Sequence, residues 1–242
     1  MLGSTSTDST GGPVSAATDL PTAEPGLRRA LRGVRDELRI WLRHRWTLAT
    51  AARRLAPERM RRVHLGCGPK HKPGWLNLDL DAAADLRLDL REPLPLPDGC
   101  AEWVYSEHFL EHLAYPGEVA RVLAECRRIL APGGRLSVGV PDSEWPLREY
   151  ADGGEYYRVA KQAWHPEVCR TRLEHLNWHF RAGGQHLWAY DAETLAAVLA
   201  DAGFVGIERR AYDPALDSAD RQPGTLYMEA RRDERCGASG RA

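Results

Sequence analysis

No apolar run in the chain approaches the roughly 20 residues that span a bilayer, and the amino terminus has no apolar signal core. A cytoplasmic protein is therefore the default expectation. Neither sign of charge is in excess: 33 Lys and Arg against 34 Asp and Glu leave a net charge of −1. The overall balance thus points to neither a nucleic-acid partner nor an acidic substrate. Cysteine is sparse, and Cys67, Cys100, Cys126, Cys169 and Cys236 form no C-x-x-C pair. An odd, scattered set predicts free thiols in a reducing compartment rather than a disulfide framework. A glycine is also missing where dinucleotide binding needs its third: His71 stands there, after a Pro69 that would spoil a pyrophosphate-binding helix start. NAD is disfavoured.

The 242 residues are enough for one well-buried domain with a lid, but short for two independent cores. Residues 1–25 are rich in Ser, Thr, Gly and Pro, and read as a disordered tail, as do 233–242. A basic helical extension is expected over 26–60. There Leu27, Leu31, Val34, Leu38, Trp41 or Leu42, and Leu48 recur at helical spacing, with arginines crowding the other face. A solvated helix face packed against the domain is one reading of this stretch; a dock for an anionic partner is the other.

From 61 to 232 short apolar runs alternate with helical patterns, as in a parallel sheet covered on both faces. Strands are expected near 62–66, 75–79, 85–89, 102–106 and 134–140, then at 204–209 and 225–230. A helix at about 116–130 should bury Val119, Val122, Leu123, Cys126 and Ile129 or Leu130. A second, at 191–202, should start at Asp191 as N-cap and stop at Gly203. Residues 141–190 fit no core pattern and would lie over the carboxyl ends of the strands, where open α/β sheets place ligands. They read as a substrate lid.

One turn carries the cofactor argument. His64-Leu65-Gly66-Cys67-Gly68 closes an apolar run on two glycines, which let the backbone turn tightly against a ligand. Asp79 then ends the next run, placed to accept hydrogen bonds from both hydroxyls of a ribose. With Val63-His64-Leu65-Gly66-Cys67-Gly68, Asp79, Asp89-Leu90, the Tyr105–Leu113 run and the Leu130-Ala131-Pro132-Gly133-Gly134 turn in this order, residues 60–230 resemble the class I S-adenosylmethionine-dependent methyltransferases. The resemblance implies a seven-stranded, Rossmann-like, doubly wound α/β sheet with its last strands antiparallel at one edge. It also implies S-adenosylmethionine (SAM) as cofactor, held by His64, Gly66, Cys67 and Gly68, by Asp79-Leu80 and Asp89-Leu90, and by Ser106 and Glu107.

Methyl transfer to a hydroxyl needs a positioned acceptor and a base, and histidine titrates in the right range. His108, at the tip the family sets beside the reactive methyl, and His179, in the lid, are the two candidates. His108 to His112 also fits the zinc-peptidase pattern H-x-x-E-H, a reading the family resemblance argues against. The lid adds His175, Asn177, Trp178, Gln185, His186 and Trp188, aromatic faces with hydrogen-bonding groups suited to a sugar or another polar metabolite. His112, Asp142 and Glu144 are the further substrate candidates. Histidine with Asp142, Asp152 or Glu144 would suit a hard divalent cation such as Mg or Ca.

A looser resemblance to actinobacterial sugar O-methyltransferases points to O-methylation of a saccharide. The alternatives are methylation of a phenol, amine or carboxylate, and a non-catalytic SAM-binding partner protein. A small-molecule or oligosaccharide acceptor is expected and nucleic acid is not, since no Asn/Asp-Pro-Pro-aromatic motif follows strand four. A homodimer is compatible with the sequence.

Overall fold

Seven strands form one sheet in the computed structural model, which describes residues 26–51, 55–163 and 165–234. They are β1 (Arg62–Leu65), β2 (Leu76–Asp79), β3 (Leu86–Arg87), β4 (Ala101–Glu107), β5 (Leu130–Pro141), β6 (Phe204–Arg209) and β7 (Thr225–Arg232). Their order is β3-β2-β1-β4-β5-β7-β6. The first five run parallel, and β7 runs antiparallel between β5 and β6. The chain winds outward from β1 to β3 and then returns to β4 on the other side of β1. That reversal opens a crevice at the carboxyl ends of β1 and β4, where Leu65 lies in register with Ser106.

Every expected strand is present, though β3 is only two residues long. It is an edge strand, and after Arg87 the chain turns inward, burying Leu88 and Leu90 in the main core. The connections 66–75 and 80–85 carry no helix. Cover at that end comes instead from the closing half of α1 (Gly26–Ala51), where His44, Thr47 and Ala51 are buried. Thr47 Oγ1 donates to the carbonyl of Arg87 at 2.6 Å.

This corrects the face expected from the apolar spacing, because Trp41, Leu42 and Trp46 are each more than half exposed. A polar sheet edge needs a donor and small side chains against it, and Thr47 and Ala51 supply both. The chain divides into two compact units at Leu38 and Arg39. The described part of the first, 26–38, is the opening half of α1; the second holds the sheet and all that follows.

Helix α2 (Gly117–Ile129) buries Val119, Val122, Leu123, Cys126 and Ile129, the stripe its spacing predicts. The stretch after β5 folds into α3 (Glu144–Arg148), α4 (Glu155–Ala163) and α5 (Arg172–Arg181). A bridge between Asp142 and Tyr190 closes its base, with Ser143 N donating to Tyr190 O at 3.1 Å. Tyr156, Tyr157 and Ala160 make a small core of its own, backed by Trp145. Thr171 and Glu174 start α5 with a reciprocal capping box. Asp191 caps α6 (Ala192–Asp201) by accepting from Thr194 N at 2.8 Å, as expected. Among the described residues no helix is long and apolar enough to cross a membrane.

Candidate active site

The glycine turn after β1 is built by two different requirements. Gly66 has φ +66°, and a Cβ there would stand 2.6 Å from the Cβ and Cγ of Phe109, so glycine lets the segment after β4 pack against the turn. Gly68 has φ +48° and nothing within 4 Å of an added Cβ, which leaves open space over the backbone. Asp79 pins the turn: its Oδ2 accepts from Gly68 N at 2.8 Å, and its Oδ1 from Asp81 N at 2.8 Å. Each oxygen keeps a lone pair for a ribose hydroxyl. Ser106 Oγ, at the facing end of β4, is buried without a partner. Open space at Gly68, an anchored acid and an orphaned hydroxyl fit a nucleoside bound across the switch point.

Other residues expected around the cofactor have prior engagements. His64 is buried with its Nδ1 3.2 Å from Asn77 Oδ1, and burial pushes its imidazole down to about 3, so it is neutral. Asp89 is buried; burial alone would raise its pKa, but Arg91 clamps both carboxylate oxygens and holds it below the usual range. Leu90 lies in the main core, while Leu80 is partly exposed and offers its carbonyl to Arg87. Glu107 turns to the far side of the sheet, accepting from Ser218 N at 3.1 Å and Ser218 Oγ at 2.5 Å, with Arg221 at 3.5 Å. Burial pushes the Cys67 thiol up to about 12, which keeps it protonated.

His108 stands where the chain leaves β4, with φ +54°, a left-handed conformation that is uncommon for a residue with a side chain. Its Nε2 lies 2.8 Å from Thr225 Oγ1, and that hydroxyl donates its own hydrogen to Arg221 O at 2.7 Å. Thr225 must then accept from His108, which fixes the proton on Nε2 and the lone pair on Nδ1. Burial first, then the positive charge of Arg221, holds this imidazole well below its ordinary range, so it is neutral. Nδ1 faces Glu111 Oε1 at 3.6 Å. Glu111 is buried with neither carboxylate oxygen hydrogen-bonded, and desolvation pushes it up to about 8.

Beside His108 lies a cavity of about 370 Å³, lined also by Tyr156, His165, Trp178, His179, His186, Asp220 and Arg221. His179 sends Nδ1 to Tyr156 Oη at 2.9 Å, and its Nε2 is buried without a partner. His186 Nδ1 lies 2.9 Å from the carbonyl of His179. The stretch after β5 thus contributes Trp178, His179 and His186 to one space. His175 is buried behind it, edge to edge with His165, their Nδ1 atoms 2.8 Å apart.

The remaining lid candidates sit elsewhere. Asn177 is exposed and bonds Leu173 O, exposed Gln185 offers its carbonyl to His112, and Trp188 stacks on Tyr115 at 4.2 Å. Arg209 lies 3.3 Å from Asp142 and 3.9 Å from Glu144. Two groups of His, Cys, Asp and Glu have ligand atoms within 4.8 Å of one another among the described residues, and neither includes Asp142, Glu144 or Asp152. Sequence reasoning missed Asp220, Arg221 and Thr225, because they arrive from the loop before β7 and from its first residue, and no local spacing ties them to residues 141–190. Cys67, Cys100, Cys126 and Cys169 are free, while Cys236 lies outside the described residues.

The family described as "Methyltransferase domain" matches residues 64–138, from the glycine turn into β5. A curated relative, an uncharacterized 37.1 kDa protein in transposon Tn4556 of Streptomyces fradiae, is 40% identical over 70 residues; the match covers 29% of this chain but only 19% of that protein. Solved structures with similar folds include a SAM-dependent methyltransferase from Mesorhizobium loti (22% identity, 76% of this chain and 96% of that one, TM-score 0.43). Another, from Archaeoglobus fulgidus, is 17% identical over 78% of this chain and 94% of that one, with a TM-score of 0.44. Residues 64–138 thus match a methyltransferase domain, within a seven-stranded Rossmann-like α/β fold.

Proposed function

We propose that the protein transfers a methyl group to a hydroxyl of a saccharide or similar neutral polar metabolite, with His108 as general base. One observation carries the reading: Thr225 fixes the tautomer of His108, a neutral imidazole with its lone pair on Nδ1, in the wall of an aromatic and imidazole-lined cavity. SAM supplies an electrophilic methyl on a sulfonium. Gly66–Gly68, Asp79 and Ser106 would hold it at the crevice, and the chain's own groups do the rest. Trp178 and Tyr156 offer flat faces to a sugar ring, while neutral imidazoles bond its hydroxyls without imposing charge. His108 Nδ1 takes the hydroxyl proton as the acceptor oxygen attacks. Lid helices over the cavity exclude water from the reacting pair.

The looser likeness to sugar O-methyltransferases supports the acceptor class, as does the lining. Incubation of the protein with methyl-labelled SAM and a fractionated metabolite and oligosaccharide extract tests it. Label should appear as an O-methyl group in a neutral polyhydroxylated fraction. Label confined to phenols, amines or carboxylates would replace the acceptor class, and SAM binding without transfer to any fraction would favour a non-catalytic partner.

A further inference from the structure

The lid holds a second constellation, which shares His165 with the wall of the proposed acceptor cavity. His165 Nδ1 and His175 Nδ1 meet head-on at 2.8 Å, and Cys169 Sγ lies with them in a group whose ligand atoms are all within 4.8 Å of one another. All three come from an eleven-residue stretch, H-x₃-C-x₅-H, that makes the turn between α4 and α5 and the first turn of α5. Cys169 N donates to Pro166 O at 2.9 Å, and His175 N donates to Thr171 O within the capping box, so the backbone at both ligands is held. Cys169 and His175 are buried. Two imidazole nitrogens in contact beside a buried thiol, whose Sγ also donates to Glu174 O at 3.7 Å, gather three potential metal ligands in one place.

The geometry points to a zinc site in the lid, formed by His165, Cys169 and His175. A thiolate with two imidazoles is a borderline-soft donor set that selects Zn²⁺ over Mg²⁺ or Ca²⁺. With Zn–N of about 2.0–2.1 Å and Zn–S of about 2.3 Å, tetrahedral ligand atoms lie roughly 3.3–3.6 Å apart. The two Nδ1 atoms thus need to separate by about 0.5 Å, and both rings must turn so that their lone pairs converge on one point. The fourth position is left to water. Loading balances simply: the thiol releases its proton to solvent, and any imidazole proton on Nδ1 moves to Nε2.

The site reaches the cavity through one hydrogen-bonded chain. His165 Nε2 is 3.3 Å from Tyr156 Oη, which is 2.9 Å from His179 Nδ1. With metal on Nδ1, His165 must carry its proton on Nε2 and donate to Tyr156, as metal-bound histidines donate to an outer partner. Tyr156 then donates to His179 Nδ1, and His179 keeps its proton on Nε2. Zinc makes His179 a donor toward the acceptor and leaves the base role to His108.

Metal-stripped full-length protein, titrated with Zn²⁺ against a chromophoric chelator and separately with Co²⁺, tests the site without reference to turnover. One equivalent of each metal should bind, and the Co²⁺ form should show a thiolate-to-metal charge-transfer band with tetrahedral d–d absorption. Cys169→Ser should abolish that band, and Cys169→Ser and His175→Ala should each weaken Zn²⁺ by more than the about 10–100-fold that loss of an outer partner costs. Circular dichroism and SAM calorimetry on the same variants report whether they fold. A folded wild type that binds no stoichiometric Zn²⁺ overturns the site. So does stoichiometric binding that survives Cys169→Ser but is lost in Glu111→Gln, which would move the ion to the group of Glu111, His112 and His186.

Discussion

Glu111 and His108 face each other across 3.6 Å with opposite departures from their ordinary ionisation, the acid raised and the imidazole lowered, both by burial. The consequence for stability has a definite sign. Folded Glu111 holds its proton up to about pH 8, whereas in the unfolded chain it releases it near 4.5. Between those values the native state binds the extra proton, so stability falls as pH rises, by up to about 1.4 kcal/mol per pH unit. Glu111→Gln should flatten that slope in urea titrations at pH 5, 6.5 and 8. An unchanged slope would mean the carboxyl is not desolvated. The same burial sets the rate profile: the acid limb belonging to His108 should lie well below pH 6.5, not at neutrality as an ordinary histidine would place it.

At the level of elements, the glycine turn and the lid make separate demands. Gly66→Ala sets a Cβ against the Phe109 ring at a left-handed φ, and should cost at least about 1–3 kcal/mol of stability, read from the denaturation midpoint. Gly68→Ala meets no atom, so beyond its left-handed φ its effect should fall mainly on SAM affinity, measured by calorimetry. The lid should gain hydrogen-exchange protection over 141–190 only when SAM and acceptor are both present; protection confined to 64–110 would make it a fixed scaffold.

These elements were unevenly legible in the sequence. Strand runs, the α2 stripe and the Asp191 cap follow from local periodicity and capping, and all stand where the sequence puts them. The buried face of α1 was misread, because a sheet edge with an open carbonyl selects Thr47, which hydrophobic spacing cannot show. Thr225, Arg221 and the contact between His165 and His175 depend on chain crossings and turn geometry, so only the fold reveals them.

Across the whole molecule, the reversal of winding between β1 and β4 gathers the cofactor crevice, the strained His108 and the lid cavity at one end of the sheet. Asp79 pins the turn at Gly68 and keeps acceptor capacity on both carboxylate oxygens. Asp79→Ala should weaken SAM by roughly 1.5–3 kcal/mol in calorimetry, the scale of bonds to a charged group. Unchanged affinity would place the ribose acid elsewhere.

The most direct test of the proposed chemistry is single-turnover transfer of labelled methyl from SAM to the identified acceptor by wild type, His108→Asn and His179→Asn, with SAM affinity measured alongside. His108→Asn should lose about 10²–10⁴-fold in rate with SAM binding nearly intact, whereas His179→Asn should mainly raise the acceptor KM. Near-normal turnover by His108→Asn, with the loss appearing instead in His179→Asn, would contradict the assignment of the base.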